Sequence, residues 1–152
     1  RRRAFGADAT LVNRFRSISR DAAWVSAATR ALGLPVAANL RAGAWYAPGA
    51  VRGCYFKSTD GHAGQWALSA RRTNLDLAAR AAAAGGVLIV DATRRGRSYP
   101  DALAKTVPIW ACCLNRAVGD SDAPLACAPT VDASEAEAIE ARLPAFVESL
   151  RA

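Results

Sequence analysis

Two stretches of this chain concentrate groups able to handle phosphate and move a proton. The first is GGVLIVDATRRGRSYPD, residues Gly85–Asp101. An apolar, β-branched run, Val87–Val90, ends at Asp91 and gives way to Thr93, Arg94, Arg95, Gly96 and Arg97. Arginine's planar fork donates two parallel hydrogen bonds to a phosphate. A glycine among arginines lets the backbone approach an anion closely. Arg94, Arg95 and Arg97 repel one another unless negative charge sits among them. The competing interpretation is a solvated basic turn with no ligand. The buried strand in front and Asp91 at its end favour an anion site, because open α/β sheets bind ligands beyond the carboxyl ends of their strands.

The second stretch is CYFKSTDGHAGQW, residues Cys54–Trp66. Lys57 suits a phosphate. Ser58 and Thr59 are donors for phosphate or for a metal-bound water. Asp60 or His62 suits proton acceptance, and Asp60 and Asp91 are the candidate ligands for Mg²⁺. His62 is the sole histidine, and lone histidines are more often structural. An Asp-Gly pair such as Asp60-Gly61 is also a common turn. The density of such groups carries the reading. Lys105, further on, is read as pointing back toward the same anion. Arg41, Arg71 and Arg72 are candidate contacts for RNA phosphates, with a solvated helix face the alternative for the last two. Trp45 and Tyr46, near Asn39 and Arg41, suit stacking on an unpaired base if exposed. Core burial is the favoured reading for Trp45.

Elements must hold these groups in place. Leu11, Phe15, Ile18, Ala22 and Val25 recur at helical steps, predicting a helix over Ala9–Leu32 ended by Gly33 and Pro35. Short extended pieces are predicted at Ala44–Ala47 and Cys54–Lys57. A second helix is predicted over Gln65–Ala84, and a strand buried on both faces over Val87–Val90. A third helical segment, Asp101–Arg116, should be kinked or divided at Pro108. Ser134 with Glu137 reads as the capping box of a last helix, bent at Pro144. This order predicts an α/β domain, 1–152, with a central, mostly parallel sheet flanked by helices. Its core should rest on Trp24, Trp45, Trp66, Trp110, Phe56 and Ile89, because alanine buries little area.

Bulk properties agree with a globular, anion-seeking protein. The net charge of +7 comes from basic residues that are all arginine except Lys57 and Lys105. This suggests a polyanionic partner, although a GC-rich genome also favours arginine. Cys54, Cys112, Cys113 and Cys127 form no C-x-x-C pair, which argues against a zinc site or disulfide framework and fits a reducing compartment. No apolar run is long enough to span a bilayer, and no signal peptide is seen after Arg1 to Arg3. The chain lacks an initial Met and ends in mid-pattern, so it reads as part of a longer protein.

These strings resemble the initiator-tRNA 2′-O-ribosylphosphate transferases of fungi and plants. The matching segments are NLRAGAWY (Asn39–Tyr46), CYFKSTDGHAGQW, LSARRTNL (Leu68–Leu75), GGVLIVDATRRGRSYPDAL and AKTVPIW (Ala104–Trp110). RFRSISRDAAWV and SEAEAIEARLPAFVESL are similar too, so the resemblance covers nearly the whole chain. It departs at Ala42 (Cys expected), Ala92 and Ala104 (Ser), Thr73 (Leu) and Arg97 (Lys), changes that spare the charged groups.

The resemblance implies transfer of a phosphoribosyl group from phosphoribosyl pyrophosphate to a ribose 2′-hydroxyl in the T stem of initiator methionine tRNA, in the cytoplasm. That modification would keep the tRNA out of elongation. A 2′-hydroxyl acceptor means RNA, not DNA. Such chemistry needs Mg²⁺ and cations for the departing pyrophosphate, and a positioned base. The expected assignment gives phosphate binding to Lys57, Ser58, Thr59, Thr93, Arg94, Arg95, Gly96, Arg97 and Lys105, and catalysis to Asp60, His62 and Asp91. The resemblance also implies that a phosphatase-like domain follows the matched region in the family, a part this chain is expected to lack. The alternative is a non-catalytic RNA- or phosphate-binding module. A phosphatase is disfavoured, since Asp91 stands where a nucleophilic Cys belongs.

Overall fold

Three short parallel strands and two sets of helices carry the candidate residues, in a computed structural model that describes residues 2–40, 42–50, 52–93 and 97–152, with backbone alone for 2–9 and 52. The chain forms two units, each discontinuous in sequence: Arg1–Cys54 with Leu75–Ala92, and Tyr55–Asn74 with Thr93–Ala152. The architecture is α/β with a wholly parallel sheet, as the element order predicts.

The first unit opens with α1, Arg2–Leu32, stopped by Gly33 at φ 64, whose N–H donates to the Thr29 carbonyl. β1 (Val36–Asn39) lies between β2 (Arg52–Cys54) and β3 (Leu88–Val90), giving the order β2-β1-β3. Ala37 pairs with both Arg52 and Ile89. Buried side chains at the sheet are small: Ala37, Ala38 and Cys54, with Asn39 beside them. α2, Leu75–Ala84, packs through the buried Leu77.

Three expectations fail in this unit. Val87–Val90 was predicted to be buried on both faces. β3 instead lies at the sheet's edge and its residues are half-buried, with the buried central position taken by β1. Ala44–Ala47 is not a strand: Gly43–Trp45 forms a 3₁₀ turn. Gly43 sits hard against the end of β3, where a Cβ would run into the Val90 carbonyl oxygen. The chain must therefore turn there instead of pairing. Trp24 and Trp45, expected in the core, are 72% and 64% exposed. A sheet whose buried centre is built from alanines leaves no slot for an indole.

The second unit has a conventional apolar core. α3 (Val107–Val118), α4 (Ala133–Glu140) and α5 (Leu143–Arg151) close Ile109, Cys112, Cys113, Ile139, Leu143 and Val147 into one cluster. Phe56 meets Trp110 edge-on at 5.2 Å. Trp66 and Leu68 pack against the cluster.

That packing explains why the predicted helix Gln65–Ala84 survives only as α2. Residues 65–74 are drawn out so that Trp66 and Leu68 reach the core and the Thr73 carbonyl accepts from the Trp110 indole. Asn74, at φ 46, cannot continue a helix, and its side-chain amide both accepts from and donates to the Tyr55 backbone.

Pro108 lies in the first turn of α3, preceded by a π-helical turn, Ala102–Thr106. Proline has no N–H for the carbonyl four residues back. The Ala128 N–H takes that Ala104 carbonyl instead, at 3.0 Å. The cap of α4 is Asp132, which accepts from the Glu135 N–H and the Ser134 hydroxyl. Ser134 was the expected cap, but Asp132 and Glu135 have the same spacing two residues earlier. Pro144 opens α5 as a separate helix, without bending a continuous one. No helix among the described residues is long and apolar enough to cross a membrane.

Candidate functional site

The Lys57–His62 stretch is held by backbone geometry in the second unit. Ser58–Gly61 forms a 3₁₀ turn beside the π-helical turn. The Thr106 hydroxyl donates to the Lys57 carbonyl at 3.0 Å. A Cβ on Gly61 would lie 2.7 Å from the Asp101 carbonyl oxygen and 2.8 Å from Thr106 Oγ1, so only glycine fits.

This fixed turn presents Asp60 to a cleft also lined by Tyr55, Lys57, Ser69 and Arg72. Arg72 Nη2 stands 3.8 Å from Asp60 Oδ2, and its guanidinium lies over the Tyr55 ring at 5.4 Å. The Thr59 hydroxyl reaches Asp60 Oδ1 at 3.4 Å. Two cations, a carboxylate and a hydroxyl thus share one concave surface. Such a set can bind an anionic oxygen and accept a proton beside it.

His62 faces the neighbouring Asp101, with Nε2 3.5 Å from Oδ2. Arg97 Nη1 donates to the other Asp101 oxygen at 2.6 Å. Arg97 is thereby engaged by a carboxylate that the phosphate-binding prediction left out. The spacing of Arg97 and Asp101, four residues apart, was the available signal.

Lys105 is 8% exposed, and its ammonium lies 2.8 Å from Glu135 Oε1, which also accepts from the Trp66 indole at 3.1 Å. Glu135, from the far end of the chain, was not foreseen, and nothing local marks it. Arg142 lies over the Trp66 ring at 5.1 Å. Arg71 and Thr93 are exposed, and Ser58 lies in the 3₁₀ turn.

In the first unit, Asp91 follows β3. Its Oδ2 accepts from Asn39 Nδ2 at 2.8 Å and its Oδ1 from the Ala92 N–H at 2.8 Å. Asn39 is fully buried at the end of β1, so the two neighbouring strands jointly orient this carboxylate. Cys54 ends β2 nearby; burial first, then the Asp91 charge, pushes its thiol up to about 11. It is not a thiolate nucleophile near neutral pH. Arg41, Arg94, Arg95 and Gly96 lie outside the described residues.

Among the described residues no three His, Cys, Asp or Glu side chains cluster into a metal cage. Asp91 and Asp60 each have both carboxylate oxygens near a protein donor. Either fits Mg²⁺ as a single protein ligand, since that ion commonly takes one or two carboxylates and completes its shell with water and substrate phosphates.

Known proteins bear on these arrangements. The chain is 44% identical over 91% of its length to an uncharacterized protein of Schizosaccharomyces pombe. It is 42% identical over 77% of its length to the tRNA A64-2′-O-ribosylphosphate transferase of Saccharomyces cerevisiae. These alignments span 33% and 25% of the two relatives. No solved structure matches. The family model described as the Rit1 N-terminal domain matches residues 6–152, and the chain belongs to that family.

Proposed function

We propose that this chain is the motif-bearing part of a tRNA-modifying transferase that moves a ribosyl phosphate from phosphoribosyl pyrophosphate to a ribose 2′-hydroxyl in the T stem of initiator methionine tRNA. The name of the Saccharomyces cerevisiae relative supports tRNA 2′-O-ribosylphosphate transfer. The structural observation carrying the reading is the cleft in which Lys57 and Arg72 flank Asp60. The donor, the acceptor stem and a cytoplasmic setting are part of the proposal, as is a further domain of the same protein.

In this mechanism the 2′-oxygen attacks C1 of the ribose 5-phosphate donor. A new C1–O bond forms as the bond from C1 to pyrophosphate breaks, and the pyrophosphate departs with the electron pair. The proton of the attacking hydroxyl passes to Asp60, with His62 the alternative acceptor. Lys57, with Thr93, Arg94, Arg95 and Arg97, balances charge on the leaving group and the 5′-phosphate. In the first unit by itself, Asp91 is held by Asn39 and is the other carboxylate kept as a candidate for base or metal ligand. Mg²⁺, when bound with the donor, would neutralise the pyrophosphate and be held by phosphate oxygens, with Asp60 as its protein ligand only where His62 is the proton acceptor. Arg71 and Arg72 are candidate contacts for tRNA phosphates.

The test supplies the intact protein with labelled phosphoribosyl pyrophosphate, Mg²⁺ and initiator tRNA. One ribosyl phosphate should be incorporated per tRNA. Lys57→Ala and Arg95→Ala should each lower kcat/KM on the order of 100-fold. Asp60→Asn and Asp91→Asn should lower it further. Normal transfer by both Asp variants refutes the assignment. Salt-sensitive tRNA affinity without transfer would identify a binding module instead.

A further inference from the structure

The first unit carries an aromatic groove that none of the foregoing chemistry uses. It is about 240 Å³ and is lined on one side by Leu11, Arg14, Phe15 and Ile18 of α1, and on the other by Trp45 and Tyr46. Its floor includes Ala42 and Ala92, which follow β1 and β3. The groove therefore lies at the carboxyl ends of two adjacent parallel strands, the position at which open α/β sheets take ligands. β1 and β3 lead away in different connections there, β1 to its neighbour β2 on the other side.

The lining is rigid where it matters. Gly43 is wedged against the Val90 carbonyl, which anchors the 3₁₀ turn that presents Trp45. Tyr46 closes that turn through its N–H to the Gly43 carbonyl at 3.0 Å. Trp45 and Phe15 nonetheless show 64% and 63% of their surface to solvent. Large aromatic faces on a fixed backbone are costly to leave wet, and they form a platform for a flat partner.

Charge selects that partner. From Thr10 onward α1 carries Arg14, Arg16, Arg20 and Arg30 against the single acid Asp21. All four arginines are exposed, and Arg14 lines the groove itself. An apolar, aromatic slot edged by Arg14, on a helix whose other exposed charges are mostly arginine, suits a group that is aromatic in its centre and anionic at its flank. A protein helix would need an apolar face with acidic borders. An unpaired nucleotide offers both properties at once.

We infer that this groove binds an unpaired RNA base, stacked on Trp45 and Phe15 with a flanking phosphate on Arg14. The choice of RNA rests on the tRNA-modifying reading; the groove rests on its own geometry.

The experiment measures binding of a short single-stranded RNA containing 2-aminopurine to the purified chain at fixed salt. Binding should quench the 2-aminopurine through stacking. Trp45→Ala should weaken binding roughly ten-fold or more and abolish the quench, with the salt dependence nearly unchanged. Trp45→Phe should retain most of both. Arg14→Gln should reduce the salt dependence. Trp24→Ala, an equally exposed indole outside the groove, should bind as the parent does.

Equal binding by the parent and Trp45→Ala overturns the inference, as does a parent that binds no RNA. It is also overturned if the parent self-associates and Trp45→Ala makes it monomeric, since a second copy then fills the groove. Stacking that depends on Trp45, without transfer to tRNA, would sink the transferase reading and leave the groove standing. Transfer unaffected by Trp45→Ala, with no quench, would sink the groove alone.

Discussion

The two units treat their large apolar side chains in opposite ways. In the second, Ile109, Ile139 and Leu143 are fully enclosed, Phe56 and Trp110 are buried together, and Lys105 is neutralised by Glu135. Among the described residues of the first, full burial is reserved for small or polar groups, apart from Leu77, while Phe15, Trp24 and Trp45 face solvent. The contrast teaches that aromatic content alone does not locate a core. Apolar residues go inside where helices close over one another, and stay outside where a small sheet offers only alanine-sized space. The proposed roles divide accordingly: paired charges in the cleft of one unit, a stacking surface on the other.

That contrast can be broken by four substitutions or titrations. Lys105→Ala should have the largest effect, destabilising by about 3–5 kcal/mol in denaturant titration, because it strands the Glu135 carboxylate beside Trp66. Adding Glu135→Gln should recover part of the loss. Ile109→Ala should cost about 2–5 kcal/mol by creating a cavity in the closed core.

The third prediction concerns alkaline pH. Burial pushes the Cys113 thiol up to about 12 and Cys54 up to about 11, from an ordinary value of 9.0. The folded chain keeps these protons while the unfolded chain releases them, so stability should be level below about pH 9 and fall steadily above it. Urea midpoints read across that range check the sign. Thiol reagents should modify Cys127, which is half-buried, before either of them. Phe15→Ala should have the smallest effect, within about 0.5 kcal/mol, since its ring is already exposed. A loss as large as that of Ile109→Ala would erase the distinction between the units.

Much of this was legible in the residues. Glycine and proline marked the end of α1, the β-branched run marked β3, and the polar, glycine-bounded run marked the turn at Ser58–Gly61. Interactions remote in sequence were not legible. Glu135 meets Lys105 and Trp66 across long loops, and no local pattern announces it. The helix predicted from Gln65 was overruled because Trp66 and Leu68 gain more by packing on a distant core than alanine-rich neighbours gain by coiling. Trp45 was misplaced for a related reason. Hydrophobicity predicts burial only if a neighbouring element supplies the cavity, and a three-stranded sheet with alanines at its centre supplies none. Asp132 displaced Ser134 as a cap because both spacings satisfy the same rule.

The bond from the Ala128 amide to the Ala104 carbonyl has a practical reach. It joins the proline-interrupted start of α3 to the far end of the segment that follows that helix. Peptide tags, cleavage sites or fluorescent reporters are therefore best inserted near Ser121, which is exposed. Moving the same insert to residue 128 would unfasten the backbone next to Lys105 and Thr106. A proline at 128, harmless by loop statistics, would remove the N–H that donates to the Ala104 carbonyl.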